Sequence, residues 1–227
     1  MDNAEILALY LDAPLQSWGH QSRFDRRTTL SWPTRSGVIG MVAAAMGIPR
    51  EDREGLARLA PLRMTALLLA PADPARTAGT RLMDFHTVGG GYDPKTERRH
   101  MPRKAGGSSP GTVVSHREYL QDTRFGILMA GDLPLLEAVK AALENPRWGL
   151  FLGRKSCIPA SPVCQGLFNA ETEAVRHLEA ISGWRVERAV HECSSIAEGN
   201  DTLMDIPLDF AGRTFAPRRI RTDALAP

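Results

Sequence analysis

Cysteine is scarce in this 227-residue chain. Cys157, Cys164 and Cys193 are odd in number and form no CxxC pair, which excludes a disulfide framework and a cysteine-based zinc site. The thiols read as buried or free. Long apolar runs are missing as well, and none reaches the ~18 residues that a membrane span needs. The first residues, MDNAEILALYLDAPLQ, carry acids where a targeting leader would carry bases, so no signal peptide is expected. The expected localisation is cytoplasmic, with no membrane partner. No HxH, HExxH or paired-carboxylate pattern occurs, and Asp84, Asp93 and Asp122 are scattered. The phosphate loop GxxxxGK followed by Ser or Thr is absent too. No metal and no cofactor is expected. What remains, 43% hydrophobic and 24% charged residues, is ordinary for a globular protein of one large domain or two small ones.

The net charge is only +2, but it is unevenly spread. From Arg76 to Arg117 there are eight Lys and Arg against three acids, and from Arg213 to Arg221 four Arg and no acid. From Glu171 to Asp205 there are eight acids against three Arg. A chain polarised in this way can hold a phosphate backbone on one side and avoid it on the other.

The stretch WPTRSGVIGMVAAAMG, residues 32–47, organises the rest. Thr34 or Ser36 is placed to cap the orphan amides of a helix. Arg35 lies where the positive end of the helix dipole also points, so this end attracts anions. Gly37, Gly40, Ala44 and Gly47 recur at helical spacing on one face, and Val38, Met41, Val42 and Ala45 on a neighbouring one. Each interior Gly costs a helix roughly 1 kcal/mol relative to Ala. The small stripe therefore points to close backbone approach, by a strand or by a polyanion.

Taken in order, residues 6–11 (ILALYL) read as a strand covered on both faces. The turn after it carries Gln16, Ser17 and Trp18. Trp18 suits a base-stacking ring or a core aromatic equally, and Gln16 supplies amide donors. RFDRR at 23–27 reads as a basic loop. A short helix is expected after Pro49, with Glu51 and Asp52 in its first turn. Residues 63–70 read as a strand. Residues 81–87 (RLMDFHT) alternate as a strand, with Leu82, Asp84 and His86 on one face and Met83, Phe85 and Thr87 on the other. Six glycines and the cations Lys95, Arg98, Arg99, His100, Arg103 and Lys104 follow, before a returning strand at 113–120 with His116 and Arg117. This is a long hairpin with a basic tip. A connection of this length is functional or disordered. A strand at 125–130 and an amphipathic helix at 133–143 complete most of a βαββαβ unit. Gly153, Arg154, Lys155 and Ser156 then put two cations, a hydroxyl and amides in one turn, a phosphate cradle. A helix at 171–181 and strands at 184–191, 203–210 and 214–220 close the chain.

APLQSWG (13–19), PTRSGVIGMVAAAMGI (33–48), LMDFHTV (82–88), SHREYLQD (115–122) and LGRKSCIPASP (152–162) together resemble the CasD family, the family-5 CRISPR-associated subunits of type I-E Cascade. The resemblance implies an α+β fold, a modified RRM or ferredoxin-like domain with a long β-hairpin thumb. It implies a body at 1–165, with the thumb at about 82–120, and a small β-rich C-terminal region at 166–227. It implies a CRISPR RNA partner whose 5′ end is capped and whose repeat-derived handle is held. The large subunit and the terminal backbone subunit are implied neighbours, with target DNA near the edge of the guide, where the thumb tip displaces one nucleotide. No catalysis is implied, because type I-E precursors are cut by another subunit.

Under this reading Arg35, Ser36 and Gly37, and Arg154, Lys155 and Ser156, hold phosphates. Gln16 and Trp18 meet handle bases. His86, Arg98, Arg99, Arg103, Lys104, His116 and Arg117 lie along the RNA on the hairpin. The alternative is a metal-independent endoribonuclease, for which His86 and His116, on two arms of one hairpin and able to face each other, are the candidate acid and base, with Tyr119 and Lys104. A third reading is a protein-interaction scaffold without RNA.

Overall fold

The computed structural model describes residues 5–20, 25–73, 79–93, 95–97, 99, 101–102, 111–195 and 197–224. The architecture is mixed α+β, built on a large antiparallel sheet. Strand β1 (Ile6–Asp12) is buried along nearly its whole length. It pairs antiparallel with β7 (Arg124–Ala130) on one side and with β8 (Cys164–Phe168) on the other. Strand β4 (Arg63–Pro71) lies beyond β7. The sheet then continues through β9 (Trp184–Cys193), β11 (Thr214–Ala224) and β10 (Asp201–Asp209) to give seven strands in the order β10-β11-β9-β4-β7-β1-β8.

Alternation along these strands builds two cores. Leu7, Leu9 and Leu11 face one way, with Ile127 and Met129, under helices α1 (Arg35–Met46) and α3 (Leu133–Glu144). Ala8 and Tyr10 face the other way, with Leu67 and Leu128, under α4 (Glu171–Ser182). A short α2 (Arg53–Ala57) joins the first layer, N-capped by Asp52, whose carboxylate accepts from the Gly55 amide at 2.7 Å. Pro49 and Glu51 thus lie before this helix and not in it.

The C-terminal strands form no sheet of their own. Residues β9 to β11 extend the main sheet from β4, and the expected boundary between 165 and 166 falls inside β8. A second, smaller sheet holds the hairpin. Its strands β5 (Thr80–Val88) and β6 (Val113–Gln121) pair over their full length. The two-residue strands β2 (Leu15–Gln16) and β3 (Arg26–Arg27) pair with β6. Among the described residues, no helix is long and apolar enough to cross a membrane.

The start of α1 is where the C-terminal part is fastened to the body. Thr34 is the N-cap, its hydroxyl accepting from the Gly37 amide at 3.2 Å. The Arg35 amide donates to the Asp205 carboxylate at 2.8 Å. Arg218 holds that same carboxylate through Nε at 2.7 Å and Nη2 at 2.8 Å. Both side chains of this pair are only 2% exposed. Removing one partner of a buried ion pair leaves an uncompensated charge, at a cost of roughly 3–5 kcal/mol. Asp205→Ala is therefore expected to lose about that much stability in urea unfolding. The double variant Asp205→Leu with Arg218→Met should recover most of the loss; an equal loss in both would show that the pair itself is not responsible.

Candidate functional site

The turn after β1, the start of α1 and the turn at residues 152–157 meet at one end of the main sheet. The Ser17 amide donates to the Leu152 carbonyl at 3.1 Å. Gly153 adopts φ +97, and a Cβ there would overlap the Ser17 carbonyl oxygen, so only glycine lets the two backbones touch. Two adjoining clefts open at this junction. The larger, of about 370 Å³, runs along the small face of α1 and is lined by Gly40, Ala44, Arg50, Trp148, Lys155 and Phe210 among others. The smaller, of about 240 Å³, shares Ser36, Gly37, Gly153 and Phe210 with it and adds Arg27 and Arg154.

The expected site residues divide into those at this cleft and those spent inside the protein. Ser36 and Gly37 line both clefts, and Lys155 and Arg154 line one each. The two candidate phosphate-binding turns are therefore side by side. Ser156 is exposed in the same turn, its hydroxyl 3.5 Å from the Tyr119 phenol. Arg154 also has a structural task. Its guanidinium lies over the Tyr119 ring at 4.6 Å and donates to the carbonyls of Glu118 at 2.9 Å and Arg27 at 2.8 Å, tying the hairpin base to the turn.

Gln16, Trp18 and Arg35 are corrected from ligand contacts to internal ones. Trp18 is fully buried, and its Nε1 donates to Gln16 Oε1 at 3.2 Å. No face of that ring is left for a base. The Gln16 amide donates in turn to the carbonyls of Leu11 at 3.1 Å and Thr123 at 2.8 Å. Arg35 points away from the clefts. Its guanidinium pairs with Glu192 at 2.6 Å and donates to the Ala60 carbonyl at 2.9 Å. The anion at the start of α1 is thus the protein's own Asp205.

On the hairpin, the alternation of faces is as expected, and its register separates the two histidines. His116 lies opposite Phe85, with ring centroids 5.3 Å apart, whereas His86 lies opposite Ser115. Cross-strand partners share a face, so His86 and His116 occupy opposite faces and do not meet. Arg117 lies opposite Asp84 and donates from Nε to Ser115 Oγ at 3.1 Å. Arg99 is exposed. Arg98, Arg103 and Lys104 lie outside the described residues. Among the described residues, no group of three or more His, Cys, Asp or Glu could hold a metal ion.

Sequence reasoning missed Arg50, Trp148, Phe210 and Phe215 at the clefts. Arg50, Trp148 and Phe210 sit in connections where no periodicity marks them, whereas Phe215 is the second residue of β11. Charge and aromaticity in loops near the GRKS turn were the only available signals.

The model of the CRISPR-associated protein family Cas5 matches residues 6–221. The CRISPR system Cascade subunit CasD of Escherichia coli strain K12 is 30% identical over 220 residues, covering 91% of this chain and 92% of that protein. A chain of a solved CRISPR RNA-guided surveillance complex superposes with a TM-score of 0.75 at 29% identity, covering 96% of this chain and 89% of that one. A crystal structure of a Cas protein gives a TM-score of 0.65 at 31% identity, covering 97% and 94%.

The glycine stripe itself yields a test. A Cβ at Gly37 would sit 2.8 Å from the buried Trp18 ring and 3.0 Å from Thr34 Oγ1, whereas one at Gly40 would sit 3.4 Å from the edge of the half-buried Phe210. Gly37→Ala is expected to lower stability by about 1–3 kcal/mol through overpacking. Gly40→Ala is expected to cost nothing, because the helix gains roughly 1 kcal/mol of propensity and a Cβ there reaches Phe210 only at contact distance. Thermal unfolding of the two variants decides; equal losses would rule out this difference in packing.

Proposed function

This chain belongs to the CRISPR-associated Cas5 protein family, and from that membership we propose that it is a type I-E Cascade subunit of antiviral defence that caps the 5′ end of the guide RNA and holds its repeat-derived handle. The observation that carries the reading is the convergence of Ser36 and Gly37 at the start of α1 with Gly153, Arg154 and Lys155 and with Arg27 around two joined clefts. A hydroxyl and cations in one concave place suit a chain of phosphates.

In this reading the strands β4, β7, β1 and β8, with α1 and α3, are a ferredoxin-like core, since they follow the βαββαβ order and lie side by side. The β5–β6 hairpin is the thumb. One of its faces leaves Met83, Phe85 and Val114 in solvent, which suits contact with a neighbouring subunit, the backbone subunit or the large one, near the edge of the guide and its target DNA. The subunit acts by binding and not by cleavage. The separation of His86 from His116 supports this, because an acid and a base must both reach one scissile bond. A cytoplasmic ribonucleoprotein is the setting this implies.

Fluorescence anisotropy with a single-stranded RNA carrying the repeat-derived 5′ segment tests the proposal. Each phosphate contact removed should lower the slope of log affinity against log salt by about 0.7. Arg27→Ala combined with Lys155→Ala should therefore lower it by about 1.4, and the wild-type protein should return the RNA uncut without metal. Affinity and slope equal to wild type would sink the site, and specific cleavage would sink the non-catalytic role.

A further inference from the structure

We infer that the cleft along the small face of α1 takes one unstacked nucleobase, with Trp148 as its stacking surface and Lys155 and Arg50 on its phosphates. The inference rests on the RNA-binding role proposed above and names the group that this cleft receives.

Trp148 is 45% exposed, although an indole in water forfeits a large apolar area. It lines a concave site and not a convex surface. The same cleft has Phe210 on its wall, and Gly40 and Ala44 present almost no side chain to it. A planar ring can therefore lie close to the helix. The volume, about 370 Å³, is that of a small-ligand site. Two cations, Arg50 and Lys155, share this lining, and no carboxylate does among the described residues. Neither cation has a hydrogen bond or ion pair to another described residue.

The occupant must therefore offer a flat apolar face and negative charge together. A free anion would leave the aromatic walls in water, and an apolar side chain of a protein would leave both cations without counter-charge. A nucleotide meets both demands. Stacking on Trp148 would tolerate any base, because every base has a π-face. The two clefts share Ser36, Gly37, Gly153 and Phe210, so a backbone passing Arg27 and Arg154 leads directly to this one.

The test places 2-aminopurine at each position in turn of a single-stranded RNA carrying the repeat-derived 5′ segment. One position should be quenched on binding. Trp148→Leu should abolish that quench and weaken binding roughly tenfold or more, and Trp148→Phe should restore most of both. The salt slope should be unchanged in both variants, because no phosphate contact is lost. If Trp148→Leu binds as wild type while Arg27→Ala with Lys155→Ala binds poorly, the stacking inference fails and the RNA role stands. If wild-type protein binds no RNA, both fail. If Trp148→Leu keeps RNA affinity but no longer co-purifies with the large Cascade subunit, the cleft is a protein-docking groove and the inference is overturned.

Discussion

The buried pair of Asp205 and Arg218 sets the conditions under which the rest of the molecule works. Helix α1 has no acid in its first turn, so its exposed amides and dipole leave positive potential at that end. Arg35 adds a full charge there. The C-terminal part answers with two carboxylates. Asp205 meets the Arg35 amide at 2.8 Å, and Glu192 meets the Arg35 guanidinium at 2.6 Å. Burying such groups carries a desolvation penalty, which only close geometry and further hydrogen bonds offset. Arg218 supplies them with two contacts to Asp205, at 2.7 and 2.8 Å. The acidic stretch is thus an internal counter-ion supply that holds β9 to β11 against the body.

This arrangement decides which positive charge is available to a ligand. Arg35 and Arg218 are neutralised inside. Arg154 is half-committed, giving two donors to main-chain carbonyls and its plane to Tyr119. Arg27, Arg50 and Lys155 keep their charge at the clefts. The anion-attracting region has therefore moved off the axis of α1 and onto its small face. A helix start alone would have offered one charged point; the clefts offer a track with several cations and aromatic walls.

The sequence made the elements legible because their signals are local. Alternation in RLMDFHT, the doubly apolar run ILALYL and the spacing of Val38, Met41, Val42 and Ala45 each reflect one strand or helix and the faces it buries. That residues 34–37 and the GRKS turn each suit phosphates was legible as well, since each gathers hydroxyl and cation within one turn. The fate of Arg35 was not. Its partners Glu192 and Asp205 lie 157 and 170 residues away. An arginine at a helix start looks the same whether a phosphate or a distant carboxylate will meet it. Trp18 posed the same difficulty: a turn tryptophan suits a stacking ring and a core aromatic equally until Gln16, Thr29 and α1 are seen packed around it. Trp148 and Phe210, which do line the clefts, sit in irregular connections, where period carries no information.

The small residues of α1 resolve into two tasks that turn out to be one. Gly37 is small because Trp18 packs against it, and Gly40 lets Phe210 approach. The same absence of side chains opens the cleft. Gly153 adds a third close approach, backbone to backbone with Ser17. A cleft framed by such contacts has few side-chain torsions to freeze when a ligand arrives, so less entropy is lost on binding. Phe210 sits one residue past β10, the strand that Asp205 anchors to α1. The buried ion pair therefore holds a wall of the cleft as well as the fold, because the strand it fastens to the helix start is the one that leads into Phe210.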